Sequence, residues 1–356
     1  MRQLALLLTV LIGLSGCHSR ASDGQPTTPT TPGGASTAGA PGSPRILTRQ
    51  LEVPWSIAFL PDGDALVSER DTARILKVTP AGAVTEVQRL SEVVQAGEGG
   101  LLGLAVSPGY ATDKLIYAYY TAAQDNRIAR FVLGQPPQPI LTGIHKAGNH
   151  DGGRIAFGPD GMLYAGVGDA AEPDRAQDPT ALNGKVLRMT PAGRPAPGNP
   201  FPDSVVYSYG HRNVQGLAWD SAGRLYASEF GQNQFDEINL IQPGHNYGWP
   251  VVEGAAHDAR YTEPLLTWST DQASPSGIAI LNRTLYVGAL RGQRLWSVPL
   301  TGDGGVGQPV ALFTNTYGRL RAVTAAPDGS LWVGTSNRDG RGTPVPDDDR
   351  ILRITP

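Results

Sequence analysis

Ile57-Ala58-Phe59-Leu60-Pro61-Asp62-Gly63-Asp64-Ala65-Leu66-Val67 decides the fold. It reads as an apolar strand, a Pro-Asp-Gly turn and a second apolar strand, which is a hairpin signature. The stretch returns at Ile155 to Ala165 around Pro159-Asp160-Gly161, and at Val323 to Val333 around Pro327-Asp328-Gly329. Looser copies run from Leu104 to Tyr117, Leu217 to Tyr226 and Ile278 to Val287.

A third strand follows each hairpin: Arg74 to Val78, Arg127 to Phe131, Lys185 to Met189, Glu237 to Ile241, Arg294 to Val298 and Arg350 to Ile354. Each alternates polar and apolar residues, as a half-buried strand does. A fourth strand precedes the next hairpin at Val84 to Leu90, Pro139 to Ile144, Val205 to Tyr209, Pro264 to Trp268 and Val310 to Phe313. The last unit lacks its own fourth strand, and Ile46 to Glu52 can supply it by pairing with Ile351 to Thr355. The sequence therefore predicts an all-β, six-bladed β-propeller of four-stranded antiparallel blades, its ring closed by an N-terminal strand. An open β-sandwich would not require the same strand order six times.

The 45 glycines and 30 prolines among 356 residues suit short strands and tight turns. A net charge of -3 gives no basic footprint for nucleic acid. The single cysteine, Cys17, excludes an intrachain disulfide. Arg2 and the apolar run Leu4 to Leu14 form an export signal too short to span a bilayer. Leu14-Ser15-Gly16-Cys17 resembles a bacterial lipoprotein lipobox, with Cys17 as the lipidated residue. Residues 18–44 are Ser, Thr, Pro, Gly and Ala with almost no large apolar side chain, which reads as a disordered tether. The expected organisation is a signal peptide over 1–17, a linker over 18–44 and the propeller over 45–356. The expected location is extracytoplasmic, with the chain lipid-anchored on the outer face of the cell membrane or periplasmic.

Strand direction alternates within a blade, so the connectors between blades share one end with the connectors from second to third strands. The Pro-Asp-Gly turns occupy the other end. The first set of connectors contains Pro54-Trp55, Glu98, His150-Asp151, His211-Arg212-Asn213, Ser274-Pro275-Ser276 and Arg319-Leu320-Arg321. The second contains Glu69, Asp169, Glu229, Gly231-Gln232 and Asn337-Arg338-Asp339. Polar groups converging on one end of an apolar scaffold mark a ligand site. The arginines point to an anionic ligand, and a histidine beside carboxylates points to a general base. There is no Gly-x-Ser-x-Gly elbow, His-Glu-x-x-His pair or Walker loop. Asp347-Asp348-Asp349 reads as a solvated loop tip, because no spaced ligands complete a calcium loop.

At these connectors the sequence resembles the soluble PQQ-dependent aldose (glucose/sorbosone) dehydrogenases. The matching stretches are Gly97 to Leu104, Asn149-His150-Asp151-Gly152-Gly153-Arg154, Gly166-Val167-Gly168-Asp169 and Gly210 to Trp219. They continue through Ser228 to Gln232, Asp236-Glu237-Ile238-Asn239 and Asn246-Tyr247-Gly248-Trp249-Pro250. The resemblance implies a quinoprotein oxidoreductase that uses PQQ and Ca²⁺ to oxidise an aldose at C1 to a lactone. The electron acceptor is left open. His150 would be the base, Asp169 would hold its imidazole, and Arg212 and Asn213 would contact the quinone. Arg319 and Arg321 would bind PQQ carboxylates. The carbonyls of Gly231 and Gln232 would hold the cofactor's calcium, and Glu237 with the Tyr247 carbonyl a second, structural one. Two positions depart from the glucose-oxidising pattern. Glu98, at a cofactor-binding position, replaces a glutamine, and the connector through Ser274-Pro275-Ser276-Gly277 has no lysine. Two other readings remain at this stage: a calcium-dependent lactonase, and a non-catalytic propeller that binds a glycan or a partner.

Overall fold

A computed structural model describes residues 42–356. The signal peptide, Cys17 and nearly all of the linker lie outside the described residues. Every described strand falls into one of six four-stranded antiparallel sheets. The innermost strands are Pro54–Phe59, Leu101–Val106, Ile155–Phe157, Val214–Trp219, Pro275–Leu281 and Leu320–Ala325. Each touches the next, and the sixth returns to the first, so the blades form a closed ring.

The repeated turns are alike because the same three residues build them. In the first, Leu60 N–H donates to the Asp64 carbonyl at 2.7 Å and Gly63 N–H to the Leu60 carbonyl at 3.0 Å. The Asp62 carboxylate accepts from Asp64 N–H at 3.1 Å. Gly63 takes φ +91, which L side chains rarely adopt. The same bonds recur around Asp160 and Asp328.

The ring closes as the sequence predicts, over a shorter span. The strand Arg45–Thr48 pairs with Ile351–Ile354, with Ile46 opposite Leu352 and Thr48 opposite Ile351. Gln50, at φ +60, turns the chain out of the sheet before Glu52. Leu51 N–H still donates to the Asp349 carbonyl at 3.0 Å. Leu47, Leu51, Ile57, Val67, Trp332 and Ile351 then pack in one cluster across the seam between the last and first blades. The Phe59 and Trp332 rings meet edge to face there at 4.9 Å.

One expectation fails. Asp348 and Asp349 are buried, so the triple aspartate is no solvated tip. Asp349 accepts from Thr335 Oγ1 at 2.9 Å and Asn337 N–H at 2.6 Å, while Asp348 accepts from Arg350 Nε at 2.8 Å. These bonds fold the final connector down onto its blade. Spacing along the chain could not show this, because the donors come from Thr335 and Asn337.

Candidate active site

The connector ends do converge. His150 sits at φ +59 in the link entering the third blade. Its Nδ1 lies 2.8 Å from Asp169 Oδ1, and its Nε2 lies 2.8 Å from Arg212 Nη2. These partners assign the tautomer. A guanidinium only donates, so Nε2 presents its lone pair and Nδ1 carries the hydrogen, which it donates to Asp169. Asp169 is held in turn: Trp249 Nε1 donates to Oδ2 at 2.7 Å and Ala171 N–H to Oδ1 at 2.9 Å. The imidazole is thus oriented and able to accept a proton.

Arg212 spans the site. Its Nη1 donates to the Gly231 carbonyl at 2.6 Å and the Phe230 carbonyl at 3.2 Å, and its guanidinium lies 5.4 Å from the centre of the Trp249 ring. Burial lowers its pKa. Asn213 is fully buried and accepts from Gly152 N–H at 3.0 Å. Arg212 Nε and Asn213 Nδ2 are buried donors without a partner among the described residues. Buried donors are nearly always satisfied, so two orphans from adjacent residues fit an acceptor-rich ligand.

Beside them lies an excess of positive charge. Arg319 and Arg321 are both buried and share one carboxylate. Asp339 Oδ2 accepts from Arg319 Nη2 at 2.8 Å and Arg321 Nη2 at 3.3 Å. Arg321 also donates to Ser336 Oγ at 3.0 Å and Gln215 Oε1 at 3.1 Å. A third buried guanidinium, Arg154, makes no ion pair among the described residues. It donates to the Gln215 carbonyl at 2.9 Å and Ser56 Oγ at 3.1 Å, and stacks 4.2 Å from the Trp55 ring centre. Burial and the Arg321 charge pull Arg154 down to about 9. Burial pulls Arg321 to about 10, against the attraction of Asp339. Both stay charged at neutral pH. Arg319 and Arg321 share the single carboxylate of Asp339 and Arg154 pairs with none among the described residues, which leaves the channel mouth receptive to an anion.

Glu98 joins this group through the backbone. Its Oε2 accepts from His150 N–H at 3.0 Å, and its Oε1 from Arg341 Nη1 at 2.8 Å. Burial opposes its ionisation, but the His150 N–H and Arg341 outweigh that and hold its pKa below the usual value.

The expected metal ligands form two neighbouring groups. Residues 231–235 turn around Glu253, whose Oε1 accepts N–H groups of Gln232, Asn233, Gln234 and Phe235 at 2.7 to 3.1 Å. Asp236 ties this turn to the next blade, accepting from Gly231 N–H at 2.9 Å and Ser274 N–H at 2.6 Å. A cation on the Gly231 carbonyl would have to share it with Arg212. Glu237 is buried, bonded among the described residues only by Gly254 N–H at 2.8 Å and Asn239 Nδ2 at 3.0 Å. Burial, then repulsion from Glu229, push it well above the usual carboxylate range. Asn239 Oδ1 is buried without a partner among the described residues. Glu229, Glu237, Tyr247 and Gly231 line a cavity of about 10 Å³. Crowded carboxylates and an orphan amide oxygen suit a hard cation. Among the described residues no group of three or more His, Cys, Asp or Glu is placed to hold a metal.

Several residues fall elsewhere. His211 is fully buried, donating and accepting with Glu229 and Ser208 at 2.8 Å each and stacked on Tyr247, so it packs the blade. Ser276 Oγ bonds Gln215 Oε1 at 2.8 Å and steadies the residue that receives Arg321. Trp249, Gln215, Glu253 and Arg341 belong to the site without having been singled out. Trp249 was within reach, since it stands in the Asn-Tyr-Gly-Trp-Pro block. Arg341 carried no signal. A cavity of about 530 Å³ lies along the axis behind the site and is lined by Phe59, Phe157, Trp219 and Arg154 among others, with no histidine or carboxylate.

Fold and site together define a six-bladed propeller with a His-Asp-Arg cluster at one end of its ring. The family model described as Glucose / Sorbosone dehydrogenase matches residues 51–352, and the chain belongs to that family. It is 29% identical to the aldose sugar dehydrogenase YliI of Escherichia coli, over 87% of this chain and 92% of that one. It is 34% identical to quinoprotein glucose dehydrogenase B of Acinetobacter calcoaceticus, over 61% of this chain and 54% of that one. The solved PQQ-bound form of an aldose sugar dehydrogenase from Streptomyces coelicolor superposes with a TM-score of 0.85 at 51% identity, covering 87% of this chain and 96% of that one.

Proposed function

We propose that the protein oxidises aldose sugars at C1 to lactones with PQQ and Ca²⁺. The observation that carries this reading is the joint presence of excess buried guanidinium and a histidine whose Nε2 is unprotonated, its lone pair engaged only by donors. PQQ, when bound, supplies the two-electron acceptor. Arg319 and Arg321 would hold its carboxylates, and Arg212 and Asn213 would donate to its quinone oxygens. Gly231 and Gln232 carbonyls would serve the accompanying Ca²⁺, and Glu237 with the Tyr247 carbonyl a second ion.

The protein's own chemistry is proton transfer and orientation. His150 Nε2 takes the C1 hydroxyl proton, which pushes electron density onto C1 and favours loss of its hydrogen as hydride. Asp169 fixes the ring and stabilises the imidazolium that forms. Arg212 must give up its bond to Nε2 as the sugar hydroxyl arrives.

The test is to add PQQ and Ca²⁺ to purified apo-protein and follow dye reduction with a panel of aldoses. Binding of PQQ with sugar-dependent reduction supports the reading. Failure to bind PQQ sinks it and leaves a lactonase or a non-catalytic binding propeller, which lactone hydrolysis would separate. The sequence also supports export with a lipid anchor at Cys17, and mass spectrometry of the mature N-terminus would test it.

Among the described residues no helix is long and apolar enough to cross a membrane.

A further inference from the structure

Arg341 lies in the connector leaving the strand Leu331–Thr335 of the last blade, and Glu98 lies 243 residues earlier in the link between the first two blades. Their ion pair ties the last blade to the link that leaves its neighbour, the first blade. The Glu98 end is 15% exposed and the Arg341 end 60%. The other carboxylates at the mouth are engaged elsewhere. Asp339 serves Arg319 and Arg321, and Asp169 serves His150 and Trp249. Among the described residues Arg341 is the only ion-pair partner of Glu98. An ionised carboxylate facing a site built for an anion repels that anion. Arg341 N–H also donates to Asp339 Oδ1 at 3.0 Å, so the carboxylate that arranges the buried arginines also fixes the position of Arg341.

We propose that Arg341 is a positioning residue that neutralises Glu98, so that the mouth of the channel accepts an anionic, carboxylate-bearing cofactor. The inference rests on the reading that this site takes PQQ. It assigns Arg341 an effect through Glu98, with no contact to the cofactor.

The measurement is equilibrium titration of apo-protein with PQQ in Ca²⁺-containing buffer at low ionic strength, read by quinone absorbance. Arg341→Ala should weaken PQQ binding about tenfold, with a smaller loss at high salt. Arg341→Lys should retain wild-type affinity. Glu98→Gln combined with Arg341→Ala should restore binding to near wild type, because the uncompensated charge is gone while the amide oxygen still accepts from His150 N–H. Wild-type affinity in Arg341→Ala overturns the inference. So does a double variant as weak as Arg341→Ala, since Arg341 would then act on the cofactor directly. A wild-type protein that binds no PQQ fails the functional reading instead, which keeps the two failures distinct.

Discussion

Arg212 Nη2 stands 2.8 Å from His150 Nε2, so a permanent cation and the nitrogen that must receive a proton share one hydrogen bond. Nothing else in the site fixes so much of the chemistry. The guanidinium can only donate, which leaves Nε2 unprotonated with its lone pair directed at Arg212. Asp169 on the opposite ring nitrogen can only accept, which makes that assignment self-consistent.

Removing the base should stop turnover without emptying the site. His150→Ala should lower kcat about a thousandfold while PQQ affinity changes only a few-fold. Asp169→Asn is the subtler change. Its amide cannot accept from both Trp249 Nε1 and His150 Nδ1, so one partner is lost or the ring takes the wrong tautomer. We expect kcat to fall about a hundredfold with KM little altered. Steady-state kinetics beside PQQ titration checks both, and full activity in His150→Ala would refute the base assignment.

Glu253 shapes the turn that carries the expected calcium carbonyls. One of its oxygens accepts four consecutive N–H groups. Glu253→Ala should speed amide hydrogen exchange at residues 232–235 and raise the Ca²⁺ concentration needed for PQQ binding about tenfold. Unchanged exchange in these four amides would show that the turn holds its shape without Glu253.

Asp151 gives a pH signature of its own. Burial pushes its carboxyl up to about 6 from 3.8, despite bonds from Asn126 and Ala147, and Oδ2 has no partner among the described residues. A pKa raised on folding favours the protonated native state. Its contribution is fully present below about pH 4 and is lost as pH rises through 6. At pH 8 the ionised group therefore costs up to about 3 kcal/mol. Asp151→Asn keeps the accepting oxygen and removes the charge. It should raise the melting temperature at pH 8 and leave it unchanged near pH 4. An equal shift at both pH values would contradict this origin.

Ring closure should be visible in stability and in solubility. Deleting the chain through Thr48 removes the partner of Ile351–Ile354 and uncovers Trp332 and Leu51 at the seam. The loss of buried Leu47 and of the strand pairing should cost about 2–4 kcal/mol. The exposed edge should promote association. Thermal unfolding and light scattering on the truncated chain report both effects, and a monomer with unchanged melting temperature would rule the closure out as a stabilising device.

The sequence by itself determined the blades, their number, their order and the closing strand, because each depends on local chemistry. A Pro-Asp-Gly turn is built from neighbours, and alternation at period two sets which face of a strand is buried. It also determined which end of the ring carries His150, Asp169, Arg212, Arg319 and Arg321, since strand direction alternates once the hairpins are placed. Only the tertiary structure decided what those residues do to one another. His211 and His150 look alike in a connector, yet one is sealed between Ser208 and Glu229 while the other, held by Asp169 and Arg212, stays 14% exposed. The Arg341 and Glu98 charges, far apart in the chain, meet because a closed ring brings its last blade beside its first. Hydrogen bonds and ion pairs act over a few ångströms of space whatever the distance along the chain. Charge compensation at the channel mouth therefore belongs to the folded ring and to no segment of it.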